Sequence, residues 1–284
     1  MCRQRSAAIA GNLPAAIPSS HQLHQLKGPA PMALTFSVIT CTWNSATYLQ
    51  ESIASLLAQD HPDIEYIFVD GGSTDGTLEQ IRALDRPYQL LENVRGGVSR
   101  AMNEGLRVAT GDVIAYIHSD DYYLRPDVLS RVARHLEETG RQWLFGRTMT
   151  LLDGKLYPDG YIAPRFSYHQ LLRGNFIPHP ATFVRRELML RAGGFSTDLK
   201  YAMDYDLWLK LAKLADPVQL DEPLAAFREH EGSLSSSSRT RLAAMTEDFR
   251  VRLAYASKNP VERLAHYARY FVRRQRVIHA KGNA

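Results

Sequence analysis

Residues 113–121 read Val-Ile-Ala-Tyr-Ile-His-Ser-Asp-Asp, and this stretch decides the fold. Its first five residues are β-formers that follow Thr110-Gly111-Asp112, so we expect a buried strand here. The strand ends at two adjacent carboxylates, Asp120 and Asp121, which repel each other unless a positive charge neutralises them. Because hard cations prefer carboxylate and phosphate oxygens, the pair indicates a divalent cation that carries a phosphorylated ligand. A solvated turn is the alternative, since Ser-Asp-Asp is also ordinary turn chemistry.

Short apolar strands alternate with amphipathic helices along the chain before this stretch. Strands are predicted at 34–40, 64–69 and 88–91, and helices at 48–59, 77–84 and 99–108. This order is typical of an α/β fold with a Rossmann-like, mostly parallel sheet that has helices on both faces. In such sheets ligands bind beyond the carboxyl ends of the strands.

Three predicted strand ends carry polar side chains, at 40–44, 70–73 and 118–121. Adjacent parallel strands would bring these segments to one edge of the sheet. The glycine-rich run 69–77 is neither a Walker loop nor a GxGxxG fingerprint. It also fits a tight turn in which Thr74 or Asp75 caps the next helix, and capping does not exclude a ligand contact by Asp70.

The second half of the chain has a looser pattern. We expect a strand at 143–152 with a turn after it, a loop and strand at 174–184, and helices at 204–214, 240–257 and 260–278. The predicted organisation is a disordered N-terminal tail at 1–33, an α/β domain at 34–232 and a basic helical extension at 239–284.

Composition limits the class of protein. The chain has 284 residues, 45% of them apolar and 23% charged, as in globular proteins. No apolar run approaches the ~18 residues of a membrane-spanning helix. The two cysteines, Cys2 and Cys41, form neither a disulfide framework nor a zinc motif, which favours a cytoplasmic location.

Five motifs in order resemble the family 2 glycosyltransferases of GT-A fold, over roughly residues 34–232. They are Ser37–Thr40 with Trp43-Asn44, Val69–Thr77, Ala101–Gly105, His118–Asp121 and Ala202–Leu209. The resemblance implies an enzyme that moves a sugar from a nucleotide-diphospho-sugar to an acceptor hydroxyl with inversion. It associates such enzymes with cell-surface polysaccharide or glycoconjugate assembly, on a glycan or lipid-linked acceptor.

The resemblance also implies roles for individual residues. Asp204 is the expected general base, with Asp206 as the fallback, while the alternative role for Asp204 is that of a first-turn acid favoured by the helix dipole. Asp120, Asp121 and His230 are expected to hold Mg²⁺ or Mn²⁺ against the diphosphate. The residues expected to bind the nucleotide sugar are Thr40, Cys41, Thr42, Trp43, Asp70, Gly71, Arg100, Asn103, His118 and Ser119. Trp43 would stack on the base, or else pack in the core.

The chain departs from the family pattern at three positions and carries a further candidate at a fourth. Gly71 stands where many relatives have a second acid that reads uracil, so a UDP donor does not follow. His118 occupies the first position of the Asp-x-Asp triplet. Met102 stands where many relatives have an arginine near the phosphates, and we expect Arg100 or Arg95 to compensate for its absence. His179 matches a histidine on the acceptor side.

The positive charge of the chain lies in its C-terminal tail. Residues 239–284 hold eleven Lys/Arg and three Asp/Glu, a balance of +8 in a chain of +4. Leu264, Tyr267, Phe271 and Ile278 fall on one helical face among these arginines, which predicts either peripheral contact with an anionic membrane or a helix packed on the domain. Nucleic-acid binding is not expected, because no recognition motif accompanies the charge.

Two other functions use similar residues. A sugar-nucleotide nucleotidyltransferase would also need a metal and a nucleotide, but residues 40–44 offer no basic glycine-rich loop. A non-catalytic nucleotide- or glycan-binding module would not need Asp120, Asp121 and Asp204 together.

Overall fold

The computed structural model describes residues 34–158, 162–230 and 240–282. The N-terminal segment 1–33, predicted to be disordered, lies outside the described residues. Nine strands are present in the described ranges: β1 Phe36–Thr42, β2 Ile64–Asp70, β3 Gln89–Leu91, β4 Val113–Tyr116, β5 Tyr122–Tyr123, β6 Trp143–Leu152, β7 Lys155–Pro158, β8 Thr182–Arg185 and β9 Val218–Arg228. The helices there are α1 Leu49–Leu57, α2 Thr77–Arg82, α3 Val98–Val108, α4 Val128–Thr139, α5 Tyr168–Leu171, α6 Arg186–Arg191, α7 Met203–Leu214, α8 Arg241–Tyr255 and α9 Pro260–Gly282.

The strands form one sheet in the order β3-β2-β1-β4-β8-β6-β9-β5, with β7 paired to β6. Strands β1 to β4 are parallel, as predicted, which confirms the α/β fold class. Beyond them, β8 runs antiparallel between β4 and β6, so that β6 and β9 again point the same way as β4. The carboxyl ends of β1, β2, β4, β6 and β9 therefore lie toward one edge.

The two faces of the sheet carry two separate cores, because successive side chains of a strand point to opposite faces. In β1, Phe36 and Val38 pack with α1 and α4, whereas Ile39 packs with α3 and α7. Helix α3 lies close against the sheet at Gly105, where a Cβ would stand only 2.5 Å from Ile39 Cγ2. Both faces are covered by helices, as the alternation of elements predicted.

The C-terminal helices pair with each other and with α7. Phe249 of α8 stacks on Tyr270 of α9 with ring centroids 4.3 Å apart, and Tyr255 of α8 donates a 2.7 Å hydrogen bond to Asp206 of α7. Helix α8 is thus joined to the helix that carries the predicted general base.

Candidate functional site

The three polar strand ends meet, as predicted. Strand β1 pairs with β2 so that Thr42 is opposite Asp70, and on its other side it pairs with β4, where Ile117 N donates to Ile39 O. The segments 40–44, 70–73 and 118–121 therefore form one continuous surface at the carboxyl edge of the sheet.

Asp70 has a different role from the one predicted. Its side chain is buried, and its two oxygens accept hydrogen bonds from the Thr42 hydroxyl, the Gly72 and Ser73 backbone N–H groups and the Ser73 hydroxyl. With four donors and no solvent exposure, this carboxylate shapes the glycine-rich loop and has no oxygen left for a base or ribose. The direct contact expected from Asp70 is therefore corrected to an organising one.

Trp43 and Gly71 form the open part of this surface. Trp43 is 70% exposed, which rules out core packing, and a Cβ on Gly71 would be only 3.3 Å from Trp43 Cδ1. The absence of a side chain at Gly71 leaves one side of the indole free. An exposed aromatic face beside a bare backbone is a suitable platform for a planar ring.

The other predicted residues of β1 are Thr40, Cys41 and Thr42. Thr40 and Thr42 are buried, and burial raises the pKa of the Cys41 thiol to about 12. The side chains of Thr40 and Thr42 support the strand end, so a ligand at this place would meet backbone atoms rather than these two side chains, whereas Cys41 is only partly buried.

The remaining predicted donor contacts fall into two groups. The side-chain amide of Asn103 forms two hydrogen bonds with the backbone of Phe195: Oδ1 accepts one from the Phe195 N–H, and Nδ2 donates one to the Phe195 carbonyl oxygen. The Ser119 hydroxyl donates a hydrogen bond to the Ser45 hydroxyl. Both hold loops together. Arg100 and Arg95, in contrast, are exposed, and the Arg95 guanidinium lies 3.4 Å from the position of a Cβ on Gly72. These two arginines are the free cationic groups beside the glycine-rich loop in the described part of the chain.

Asp120 and His230 come together across 110 residues of sequence. Asp120 Oδ2 lies 3.0 Å from His230 Nε2, and both side chains are about a quarter exposed, at 27% and 25%. The residue that brings them together is Arg228 at the end of β9, whose guanidinium Nε donates to the Asp120 carbonyl at 3.0 Å. The same guanidinium pairs with Glu51 and covers the ring of Tyr48.

Asp121 is turned away from this pair. It is 2% exposed, and its Oδ1 accepts the backbone N–H of Arg228 at 3.0 Å. Burial, and then the charge of Asp120, raise the pKa of the Asp121 carboxyl well above its usual range. Asp121 therefore anchors β9 through one of its two oxygens, and its role as a second metal ligand stays a prediction.

The donor set fits a divalent cation in part. Ligands at ~2.1 Å in adjacent octahedral positions are about 3 Å apart, which matches the Asp120–His230 distance. A carboxylate with an imidazole favours Mn²⁺ over Mg²⁺, since imidazole is a transition-metal ligand. Within the ranges described, no group of three or more His, Cys, Asp or Glu side chains is arranged to hold a metal ion. Two side chains would thus share a cation with other oxygens, such as those of a diphosphate.

An unpredicted stack of rings leads from this pair to helix α7. His118 and His179 are parallel, with centroids 4.8 Å apart and planes 7° apart. His179 in turn lies 6.0 Å from the ring of Trp208, which is one helical turn after Asp204. Burial lowers the pKa of both histidines. These ring contacts join the residues that follow β4 to helix α7.

Asp204 lies in that first turn, partly buried. Its Oδ2 accepts a 3.3 Å hydrogen bond from Asn175 Nδ2, and its Oδ1 accepts from Tyr205 N at 2.6 Å. Burial first, and then the charge of Asp248 on α8, raise the pKa of Asp204 to about 7. A carboxyl with a pKa near neutrality can take up a proton under ordinary conditions. The fallback residue Asp206 pairs instead with Lys210 and Tyr255.

A cavity of about 240 Å³ opens beside Asn175. Its walls come from β6, from the loop before β8 and from the start of β9, and they include Phe145, Arg147, Thr148, Phe176 and Asp221. Apolar surface next to charged and hydroxyl groups is the kind of lining that suits a sugar ring.

The chain resembles known proteins over most of its length. The family model described as Glycosyl transferase family 2 matches residues 37–184. An uncharacterized glycosyltransferase of Mycobacterium tuberculosis is 32% identical over 201 residues, which cover 69% of this chain and 75% of that protein. The chondroitin synthase of Pasteurella multocida is 31% identical over 190 residues, or 63% of this chain and 19% of that protein.

Solved structures share the fold. TarS of S. aureus in complex with UDP-GlcNAc superposes with a TM-score of 0.63 at 24% identity, covering 84% of this chain and 72% of that one. The mannosyltransferase PcManGT of Pyrobaculum calidifontis, in complex with GDP-Man and Mn²⁺, gives 0.63 at 21% identity, covering 88% and 75%.

Proposed function

The chain belongs to glycosyl transferase family 2, and from this premise we propose that it transfers a sugar from a nucleotide-diphospho-sugar to an acceptor hydroxyl by a single inverting displacement. Membership of the family makes it a glycosyltransferase that uses a nucleotide sugar. The nucleotidyltransferase and binding-module alternatives are thereby set aside. Inversion is the additional step of the proposal.

The observation that carries the proposal is the series of ring contacts from His118 through His179 to Trp208. It connects the Asp120–His230 pair, which suits a leaving diphosphate, to the turn that holds Asp204, which suits a proton acceptor. An inverting displacement needs these two functions on opposite sides of the reacting carbon.

Each group then has one task. The exposed face of Trp43 would stack on the base of the donor. Arg95 and Arg100, beside the glycine-rich loop, would contact its phosphates. Asp120 and His230 would hold a divalent cation, which when bound neutralises the charge that develops on the diphosphate. Asp204 accepts the proton of the attacking hydroxyl, and its pKa of about 7 suits that transfer near neutral pH.

The proposal leaves the donor base open. Gly71 has no side chain to read uracil, and Asp70 is occupied within its own loop. Proteins of this fold include one in complex with UDP-GlcNAc and another in complex with GDP-Man. We therefore propose that stacking on Trp43 and backbone contacts bind the base, which makes selection among bases weaker than selection for the diphosphate.

The acceptor side of the proposal rests on the cavity beside Asn175. Its volume of about 240 Å³ is below the usual range of whole-ligand pockets and suits one ring of a larger glycan. Relatives named chondroitin synthase and hyaluronan synthase support a role in cell-surface polysaccharide or glycoconjugate assembly.

A lipid-linked acceptor would also agree with the surface of α9. Leu264 is 70% exposed and Phe271 is 54% exposed on a helix that carries several arginines. No helix in the ranges that the structure describes is both long and apolar enough to cross a membrane. We propose that the enzyme works at the cytoplasmic face of a membrane, which α9 contacts peripherally.

A donor panel tests the proposed reaction. Purified full-length protein is incubated with UDP-, GDP- and dTDP-sugars and Mn²⁺, with and without a chelator, and nucleotide release is measured. We expect release from at least one donor, and loss of release on chelation. In Asp204→Asn, donor binding should persist while transfer falls by about 10² to 10⁴-fold. Full transfer by Asp204→Asn would remove the general-base role, and no release from any donor would contradict the proposal as a whole.

A further inference from the structure

Helix α7 begins without a capping side chain of its own. Its N-cap residue is Ala202, which has no side-chain acceptor. The segment directly before the helix is instead bound by Glu247 of α8, 45 residues further along the chain than Ala202. The Glu247 carboxylate accepts hydrogen bonds from the backbone N–H groups of three residues: Lys200 at 3.0 Å, Tyr201, and Ala202 at 2.7 Å. One carboxylate therefore fixes three successive peptide units directly before the turn that holds Asp204.

We propose that Glu247 is a positioning residue for the transfer reaction, holding segment 200–202 so that Asp204 faces the acceptor hydroxyl. The inference rests on the proposed role of Asp204 as the general base. Hydrogen bonds from N–H groups to a carboxylate are charge-assisted and about twice as strong as neutral ones. Three of them on one side chain leave little freedom to the segment they hold.

Asp204 is the second residue of α7, so the segment that Glu247 binds leads directly into it. The body of α7 is fixed by buried side chains, among them Tyr205, Leu207 and Trp208, and by the hydrogen bond from Tyr255 to Asp206. Without Glu247 these contacts remain, so α7 stays docked while the chain before Asp204 loses its anchor. A displacement of 1 Å at a catalytic group can cost on the order of 10²-fold in rate.

This role joins the C-terminal helices to the catalytic machinery. The same helix that supplies Glu247 also supplies Asp248, whose charge acts on the pKa of Asp204. Residues 240–282 are therefore more than an appended basic extension, because the turn carrying the base is completed by α8.

The test uses the full-length chain and two matched substitutions. Glu247→Gln keeps the size of the side chain but removes its charge and replaces one acceptor oxygen with an NH₂ group. Glu262→Gln makes the same change on α9, where the side chain is exposed. Amide hydrogen exchange of the peptide spanning 200–204 is measured without substrate. Nucleotide release is measured with the donor that wild type consumes, UDP-N-acetylglucosamine and GDP-mannose being the first probes.

For Glu247→Gln we expect amide exchange at 200–202 to accelerate by about tenfold or more. Its kcat should fall by about ten- to a hundredfold, with donor KM changed by less than about twofold, because an interaction made at the acceptor side is lost. Glu262→Gln should match wild type in all three readouts. Faster exchange with an unchanged kcat, or unchanged exchange, would overturn the proposal.

The two proposals fail in distinguishable ways. If Asp204→Asn is inactive and Glu247→Gln is fully active, Asp204 keeps its role and the positioning role of Glu247 is wrong. If Asp204→Asn is fully active, the base assignment itself fails. Where Glu247→Gln folds poorly, Glu247→Asp keeps the charge on a shorter side chain, and partial recovery of kcat relative to the Gln variant is then required.

Discussion

The pKa of Asp204 is raised toward neutrality, which agrees with the general-base role that we propose, and its neighbours cause this shift. Burial and the charge of Asp248 raise its pKa to about 7, while the hydrogen bond from Asn175 acts in the opposite direction. Since only the ionised carboxylate accepts a proton, the rate should rise with pH through this value and level off above it.

Substitution of Asp248 tests this assignment through a pH profile. In Asp248→Asn the repulsion from a second carboxylate is removed, so the pKa of Asp204 falls and the acidic limb of kcat should move to lower pH. The plateau at high pH should stay within about twofold of wild type, because the base itself is intact. The measurement is kcat for nucleotide release across pH 5 to 9, at saturating donor.

Asn175→Ala provides the opposite control. Loss of the hydrogen bond that stabilises the ionised form should move the same limb to higher pH. If the acidic limb of the kcat profile lay at the same pH in both variants as in wild type, the limb would report the titration of a group other than Asp204.

The sequence predicts which residues gather at the site better than it predicts what each one contacts. The three strand ends could be located because parallel strands share an edge. Asp70, however, accepts hydrogen bonds from the backbone N–H groups of Gly72 and Ser73. Asp121 accepts one from the backbone N–H of Arg228. Such contacts depend on loop conformation and on a strand distant in sequence, and no local pattern encodes them. Arg228 was recognisable only as a neighbour of His230.

At the scale of secondary structure, the strands differ in how well their sequence reveals them. Strand β6 spans Trp143–Leu152, as predicted, because it is a continuous run rich in β-formers and apolar residues. Strand β9 was not predicted, since Asp221, Glu222 and Pro223 interrupt its pattern. The structure accommodates them at a register shift opposite Arg147, where a proline costs no ladder hydrogen bond. Because of this register shift, the sequence of β9 lacks a regular strand pattern, although β9 positions Arg228 and His230 at the site.

Close packing of β6 on β9 can be tested at Gly146. A Cβ there would lie 2.5 Å from Leu224 Cδ1 and 3.0 Å from the carbonyl oxygen of Glu222. We expect Gly146→Ala to lower the free energy of unfolding by about 1 to 3 kcal/mol, because the added methyl group overfills the contact. Denaturant unfolding followed by circular dichroism measures the effect.

The control is Gly174→Ala, where a Cβ would meet only the movable guanidinium of Arg273, at 3.4 Å. It should leave stability nearly unchanged. A double variant with Leu224→Ala should be less destabilised than the sum of the single changes, since the smaller side chain makes room for the methyl group. Strict additivity would mean that the two residues do not compete for space.

Across the whole molecule, charge and exposed apolar surface coincide at α9. Residues 240–278 hold nine Lys/Arg and three Asp/Glu, and α9 turns its other side to α8 through Tyr270. Its outer face exposes Val261, Leu264, Phe271 and Val272. Basic residues beside an apolar face suit an anionic lipid surface, which agrees with the lipid-linked acceptor that we propose.

Vesicle binding by the full-length protein tests this surface. We expect cosedimentation with vesicles of equal parts phosphatidylglycerol and phosphatidylcholine, and little with phosphatidylcholine alone. Raised salt should weaken binding, because the attraction between arginines and lipid headgroups is screened. The paired change Leu264→Gln with Phe271→Gln removes apolar contact and should weaken binding by about two orders of magnitude, without loss of stability, since both side chains are already exposed.

The matched control is Leu190→Gln, which alters another exposed leucine, on α6. It should bind vesicles as wild type does. If the paired variant also bound like wild type, α9 would not be the contacting surface. Should wild type ignore vesicles but self-associate with rising concentration, and the paired variant remain monomeric, the apolar face of α9 would serve a second copy of the chain, and the membrane role would be wrong.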